Sequence, residues 1–429
     1  MNTVFVRVFG ALVTLLIVIL NSNQTGAEGL GEISLIVLAI SIFTIVNGFT
    51  SGSLVYFIPR ENSFRLLFIS YTGVLFTILF FVALTTLVDL APPKYTVHIL
   101  ILSVILSLSG IHEKILIGKE NIITSNIISL VKFSVQIVVL CMLYFVMHKN
   151  SVNSYVYSLY FSYISELLLL FLFTIKYIKY TGLGGIFPLL KKVLQLSTYN
   201  TLASIAQKLN YRLSYYLIEY WFGLKMLGWF SAGMQISEST LIVGRSISMV
   251  QYSRISNLGH KESSAKITVL FVKLMLMISS FFMLVLCLIP NTVYSFLFGD
   301  DFIYTQNVII SLSLGIVALS CTTVISPFFS GTGNHKINAW AAFAGLIVTL
   351  IAGLILIPSF GLIGAGLATT ASYLVSLFFQ IYLFRKLSTV KLSDFYIKKQ
   401  DLAYGIVILK QFFFKARSAQ PEPEQNRGT

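Results

Sequence analysis

The sequence predicts an all-α, polytopic membrane protein of about twelve transmembrane helices, arranged as two six-helix bundles around a central cavity. Three observations predict it. Of 429 residues, 56% are hydrophobic and 11% charged, and the mean hydropathy is +0.85, too apolar for a soluble domain. The apolar residues gather into runs of about 20, the length that crosses a hydrocarbon core as a helix. Lysines and arginines sit between those runs and not on one solvated face, so the net charge of +14 does not point to nucleic acid.

The first six runs fall at 4–22, 33–58, 65–90, 96–117, 122–147 and 155–176. Six more fall at 197–222, 227–252, 266–290, 302–329, 337–357 and 361–385. The first run has the length of a signal peptide, but no small-residue cleavage site follows it and another apolar run does, so it reads as a span. Cytoplasmic loops are enriched in Lys and Arg. With the N-terminus inside, the inner loops hold twelve (Arg60, Arg65, Lys114, Lys119, Lys176, Lys179, Lys191, Lys192, Arg254, Lys261, Lys266, Lys336) and the outer loops three (Lys94, Lys149, Lys225). The first outer loop, "NSNQTGAEGLGE", has acids and no base, as does "LFGDDF" around Asp300 and Asp301. Both termini are therefore expected in the cytoplasm.

The connection "KYIKYTGLGGIFPLLKK" divides the spans six and six. The expected organisation is a first bundle at 1–176, a cytoplasmic linker at 177–194 with a short surface helix at "IFPLLKKVL", a second bundle at 195–386 and a tail at 387–429. "GEIS" at 31–34 and "GWFS" at 228–231 enter the second and eighth spans alike, which hints at two related halves. In the tail, "RKLSTVKLSDFYIKK" is a basic flank suited to anionic lipid. "DLAYGIVILKQFFF" is too short and interrupted to span, and the polar end "KARSAQPEPEQNRGT" is expected to be disordered.

Cys141, Cys287 and Cys321 are far apart and inside apolar runs, and the five histidines are scattered, so neither a disulfide framework nor a metal or cofactor site is expected. "IHEK" at 111–114 reads as a solvated turn at a loop edge. An enzyme, such as a membrane polysaccharide polymerase or acyltransferase, would need a large outer loop or a membrane His–acid cluster. Neither is visible.

The membrane runs do carry charge. Thr201, Ser204, Lys208, Arg212, Tyr215 and Glu219 recur every three or four residues on the seventh span, hence along one stripe. Ser231, Gln235, Glu238 and Arg245 do so on the eighth, and Ser125, Ser129, Lys132 and Gln136 on the fifth. Ser158, Ser162 and Glu166 mark the sixth, and Thr44, Asn47 and Ser51 the second. A central charge costs about 2.5 to 3.5 kcal/mol on insertion scales, so these stripes face a shared wet interior. Five cations (Arg7, Lys132, Lys208, Arg212, Arg245) face two acids (Glu166, Glu238), an excess of three positive charges. The plain alternatives are snorkelling for Arg7 and Arg245, and ion pairs of Lys132 with Glu166 and of Arg212 with Glu238. An excess of cations suits an anionic substrate, with Arg offering a fork that matches phosphate oxygens and Lys a point charge. The five cations are the candidate substrate-binding residues, and Glu238 and Glu166 the candidates for ion coupling. Tyr211, Tyr215 and Tyr216 could add ring faces that pack on sugars.

"GLGEISLIVLAISIFTIVNGFTSGSLVYFIPR" at 29–60 resembles the opening of the polysaccharide repeat-unit flippases, members of the multidrug/oligosaccharidyl-lipid/polysaccharide exporter superfamily. "KLNYRLSYYLI", "LGWFSAGMQISESTLIVGRSISMVQYSRIS", "LFGDDF", "FFSGTGNHKIN" and "LILIPSFGLIGAGLATTASYLVSL" continue the resemblance to about residue 386. It implies two six-helix bundles forming a V-shaped cavity in the bacterial inner membrane. It also implies alternating-access transfer of an undecaprenyl-pyrophosphate-linked O-antigen or capsule oligosaccharide between leaflets. A polysaccharide polymerase and a chain-length regulator are implied as further partners, and H⁺ or Na⁺ as coupling ion. Ser214 stands where relatives often carry an acid, which puts coupling at that position in doubt. An ion-coupled exporter of small molecules on the same fold is the alternative.

Overall fold

The computed structural model describes residues 3–86, 90–180, 182–258 and 261–396. They form helices α1 (Thr3–Val46), α2 (Gly48–Ser51), α3 (Leu54–Phe57), α4 (Ser63–Thr85), α5 (Thr96–Gly118), α6 (Ile122–Cys141) and α7 (Val152–Thr174). The second half contributes α8 (Ile186–Ser239), α9 (Leu241–Leu258), α10 (Lys261–Leu288), α11 (Asn291–Phe298), α12 (Thr305–Gly331) and α13 (His335–Leu387). In lipid every backbone N–H and C=O must be satisfied within its own segment, which apolar helices do and loops do not.

Three of these helices are two spans joined at a glycine. The backbone leaves the helical region at Gly26 (φ 68°, ψ −173°), Gly223 (φ 76°, ψ −177°) and Gly361 (φ 56°, ψ −129°). At Gly26 and Gly223 nearly the same corner is built, with a positive φ that side chains rarely tolerate. The first outer loop is thus shorter than its polar sequence suggests, because helix runs through it on both sides of Gly26. In α13 the return is plain from its pairings: Gln380 donates to Asn338 at 3.2 Å and Ser372 to the Gly345 carbonyl at 2.9 Å. Eight stretches are long and apolar enough to cross a membrane, and those holding Gly26 and Gly361 cross twice. The charged α8–α9 stretch is not among them, yet its corner at Gly223 supplies the other two crossings, giving the expected twelve.

The two halves cross near the corners. A Cβ on Gly31 would collide with the Leu224 carbonyl oxygen, and one on Gly228 with the Ala27 carbonyl oxygen. One chain spacing relates Gly26 to Gly223, Ala27 to Leu224, Gly31 to Gly228 and Ser34 to Ser231. The contact is therefore reciprocal, as across a two-fold axis, and the match of "GEIS" with "GWFS" is a matched pair of helix crossings. Around it lies the main apolar core, with Leu30, Ile36 and Ile40 from one half and Leu227, Phe230 and Ile236 from the other.

Two local expectations are corrected. "IFPLLKKVL" is no separate surface helix but the opening turns of α8, with Leu189 and Val193 buried against Leu54, Leu66 and Ile111 of the first half. "IHEK" is no solvated turn, because α5 continues through it. His112 is 1% exposed, with Nε2 2.6 Å from the Tyr71 hydroxyl and Nδ1 2.7 Å from Thr174 Oγ1. Lys114 donates to Ser51 Oγ at 3.0 Å. The second span is broken after Val46 into α2 and α3, and this break docks on α8: Ser53 N donates to Ser197 Oγ at 3.1 Å. The tail from 397 onward, including "DLAYGIVILKQFFF" and "KARSAQPEPEQNRGT", lies outside the described residues.

Candidate functional site

Between the bundles lies a central cavity of about 300 Å³. Both arms of α1 line it with Thr14, Asn21, Ser34 and Leu38, and α6 and α7 with Lys132, Gln136, Tyr155 and Tyr163. The second half adds Lys208, Arg212, Tyr215, Ser231 and Gln235, all from α8. The polar stripes on the fifth, seventh and eighth spans thus converge, because a repeat of three or four residues keeps each set on one helical face.

The cations are in the wall and the acids behind them. Lys132 Nζ is 2.8 Å from Glu166 Oε2, and Arg212 Nη2 donates to Glu238 Oε2 at 2.8 Å. These are the two pairs the sequence offered as the plain alternative, and neither acid lines the cavity. Each cation is also held by an aromatic face: Lys132 lies 4.9 Å from the Tyr163 ring centroid and Arg212 5.0 Å from that of Tyr215. Lys208 has no acid within ion-pair reach among the described residues. Two buried donors in the wall, Arg212 Nη1 and Asn21 Nδ2, lack a hydrogen-bond partner. An unpaired ammonium, two orphan N–H groups and no carboxylate make a surface that fits an anion or an acceptor-rich ligand.

Away from the corners the cavity widens. Thr14 and Phe133 are shared with a vestibule of about 570 Å³, lined also by Glu113, Ser125, Ser129 and Arg245. A third space of about 640 Å³, lined by Tyr211, Arg245, Tyr252 and His335, meets this vestibule at Arg245. Arg245 is exposed there and belongs to the mouth, not to the central cavity. The Arg7 side chain lies outside the described residues. Tyr215 is in the central wall and Tyr211 in the wider space, while the buried Tyr216 hydroxyl has no partner.

At the corner end the passage is barred. Besides the Gly31 and Gly228 crossing, Asn23 Nδ2 donates to the Leu297 carbonyl at 2.6 Å, tying the end of the first span to α11. The "LFGDDF" loop is held over the corners by Trp229 Nε1, which donates to the Asp301 carbonyl at 2.6 Å. The Ser214 region is neutral: its hydroxyl is 3.0 Å from that of Thr369, and Thr349 donates to Asn210 Oδ1 at 2.8 Å. Sequence reasoning missed Glu113, Asn21, Tyr155 and Tyr163. Asn21 and Glu113 sit in segments read as loop, and the two tyrosines were indistinguishable from interfacial aromatics.

No protein-family profile matches the chain. It is 24% identical over 200 residues to the capsular polysaccharide biosynthesis protein CapF of Staphylococcus aureus, covering 46% of this chain and 50% of that protein. It is 30% identical over 98 residues to an uncharacterized membrane protein of Methanocaldococcus jannaschii, covering 23% of this chain and 19% of that protein. The matched stretches thus span half the length or less of these curated relatives. Similarity of structure runs over nearly the whole chain. The lipid II flippase MurJ in an inward closed conformation superposes with a TM-score of 0.70 at 16% identity, covering 98% of this chain and 93% of that one. A multidrug resistance MATE family transporter of the MOP superfamily superposes at 0.62 in its inward-facing conformation, with 13% identity and 90% and 98% coverage. A multidrug resistance MATE family transporter of the MOP superfamily in an outward-facing conformation superposes at 0.63, with 15% identity and 89% and 93% coverage. The chain is a multi-pass membrane protein with the twelve-helix fold of these flippases and transporters.

Proposed function

We propose that the chain is a flippase that moves a lipid-pyrophosphate-linked oligosaccharide, an O-antigen or capsule repeat unit, from the inner to the outer leaflet of the bacterial inner membrane. The observation that carries this reading is the central wall, where Lys132, Lys208 and Arg212 face the cavity while Glu166 and Glu238 stand behind two of them. A cationic drug would be repelled by such a wall, and a dianionic headgroup crossing at mid-depth would be stabilised, since the site is partly desolvated. The likeness to a lipid II flippase and to a capsule biosynthesis protein supports a lipid-linked glycan as substrate.

In this reading the mouth faces the cytoplasm with both termini, in line with the twelve-to-three loop bias. The bundles 1–176 and 195–386 rock about the barred corner end, with 177–194 joining them, and the lipid tail stays in the bilayer. Lys208, Arg212 and Lys132 hold the pyrophosphate or acidic sugars, and Arg245 meets them at the mouth. Glu238 and Glu166 tune their partners' charge and are the candidates for coupling to H⁺ or Na⁺. The test is surface polysaccharide in a strain lacking its own copy, complemented at matched protein levels. The variant carrying both Lys208→Ala and Arg212→Ala should restore little or none. Full restoration would overturn the assignment of these residues.

A further inference from the structure

A flippase that works by alternating access must close its open mouth at one stage of each cycle. Glu113 of α5 and Arg245 of α9 stand in the wall of the same vestibule of about 570 Å³, one from each bundle. Among the described residues, Glu113 is the one carboxylate lining the central cavity, the vestibule or the wider space beside it. Its bonded neighbour is a neutral hydroxyl, Ser125 Oγ, which donates to Oε1 at 3.2 Å. Among the described residues neither Glu113 nor Arg245 has an ion-pair partner. The adjacent Lys114 is turned away, onto Ser51.

A carboxylate in this place opposes the entry of an anion, yet it stands in an otherwise cationic path. Glu166 and Glu238 are each held by a cation of their own bundle, so neither is available to bridge the halves without first breaking a pair. Glu113 and Arg245 carry opposite charges, lie on opposite bundles and face one shared space. Building on the flippase reading, we propose that they are the two halves of an ion pair that forms when the mouth closes. While the mouth is open, the guanidinium is free to meet the incoming anion. As the bundles approach, Glu113 takes the guanidinium over, and the anion loses its hold at the mouth just as water is excluded from it. The pair strengthens as it is desolvated, which favours the closed state of that end only.

Charge reversal tests this. Glu113→Gln and Arg245→Gln should each lower surface polysaccharide by about tenfold. Arg245→Glu alone should do the same, and Arg245→Glu combined with Glu113→Arg should restore at least half, because the mouth again holds one charge of each sign. A double reversal no better than either single reversal overturns the pairing. A second readout does not depend on substrate. Glu113→Cys with Arg245→Cys, in a chain with Cys141, Cys287 and Cys321 replaced by Ser, should cross-link under mild oxidation in membranes, and the cross-link should be lost on reduction. Absence of the cross-link in a chain that inserts in the membrane and unfolds at the parent temperature overturns the pairing as well. If the variants of Lys208 and Arg212 abolish export while Glu113→Gln does not, the flippase reading stands and the mouth pair falls. If export survives in both sets, the flippase reading falls first.

Discussion

The two ends of the passage are built on different physics. At the corner end, backbone meets backbone: Gly31 and Gly228 let carbonyl oxygens of the opposite half approach where no side chain fits. At the mouth end, side chains of both halves line one open space, with Glu113 and Arg245 unpaired among the described residues. A steric contact of main chains is insensitive to charge and salt, whereas a pair of charges at a wide mouth is tuned by both. One end therefore behaves as a joint and the other as a catch. The cations of the central cavity sit between them, so a ligand there is exposed to whichever end opens.

Breaking the joint should have the largest effect. Gly228→Leu places a branched side chain against the Ala27 carbonyl and should cost about 3 kcal/mol of stability and abolish export. Thermal unfolding in detergent, read beside surface polysaccharide, checks it; near-native values would mean that the crossing is looser than the glycines indicate. Next comes the charge between the ends. Lys208→Ala should reduce export by about tenfold or more while leaving the unfolding temperature unchanged, and Lys208→Arg should be tolerated, since a point charge is kept. An unfolding temperature that falls with export would make Lys208 a packing residue.

Glu238→Gln keeps shape and removes the countercharge of Arg212, whose Nη2 bond at 2.8 Å it weakens. Export should fall about fivefold, and stability by about 2 kcal/mol, as expected for a half-buried pair losing one member. Unaltered export with unaltered ion dependence would remove Glu238 from any coupling role. The smallest effect is expected from Asn23→Ala, which deletes the bond to the Leu297 carbonyl and should cost about 1 kcal/mol. If the corner end is a joint held by such contacts, that variant makes it leak, so a thiol reagent added from outside should label a cysteine at Ser34 faster.

The span count and the stripes of the fifth, seventh and eighth spans were legible because both rest on local periodicity, whereas the stripes of the second and sixth spans line neither the central cavity nor the two wider spaces. Ser125, Ser129, Lys132 and Gln136 all face inter-bundle space, as their spacing requires. The partners of the buried cations were legible as alternatives, since depth along a helix follows from residue count. What escaped depends on distant chain. His112 looks like part of a polar loop until Tyr71 and Thr174, 41 and 62 residues away, close around its ring. Helix on both sides of Gly26 escaped for the same reason: polar "NSNQTG" stays helical where Asn21 accepts from the Tyr144 hydroxyl at 2.7 Å and Asn23 binds α11. The break after Val46 is likewise fixed by Ser197, from the other half of the chain.

The reciprocal glycine crossing also bears on how such a chain could arise. In a half-length chain pairing with a copy of itself about the same axis, one glycine would make both contacts, and a single substitution would be felt twice. Joined in one polypeptide, Gly31 and Gly228 can vary one at a time, and the two walls above them have already done so: α6 and α7 pair Lys132 with Glu166 between helices, whereas α8 turns back to pair Arg212 with its own Glu238. Duplication with a shared joint leaves symmetry where backbone must touch backbone and frees the lining to become asymmetric.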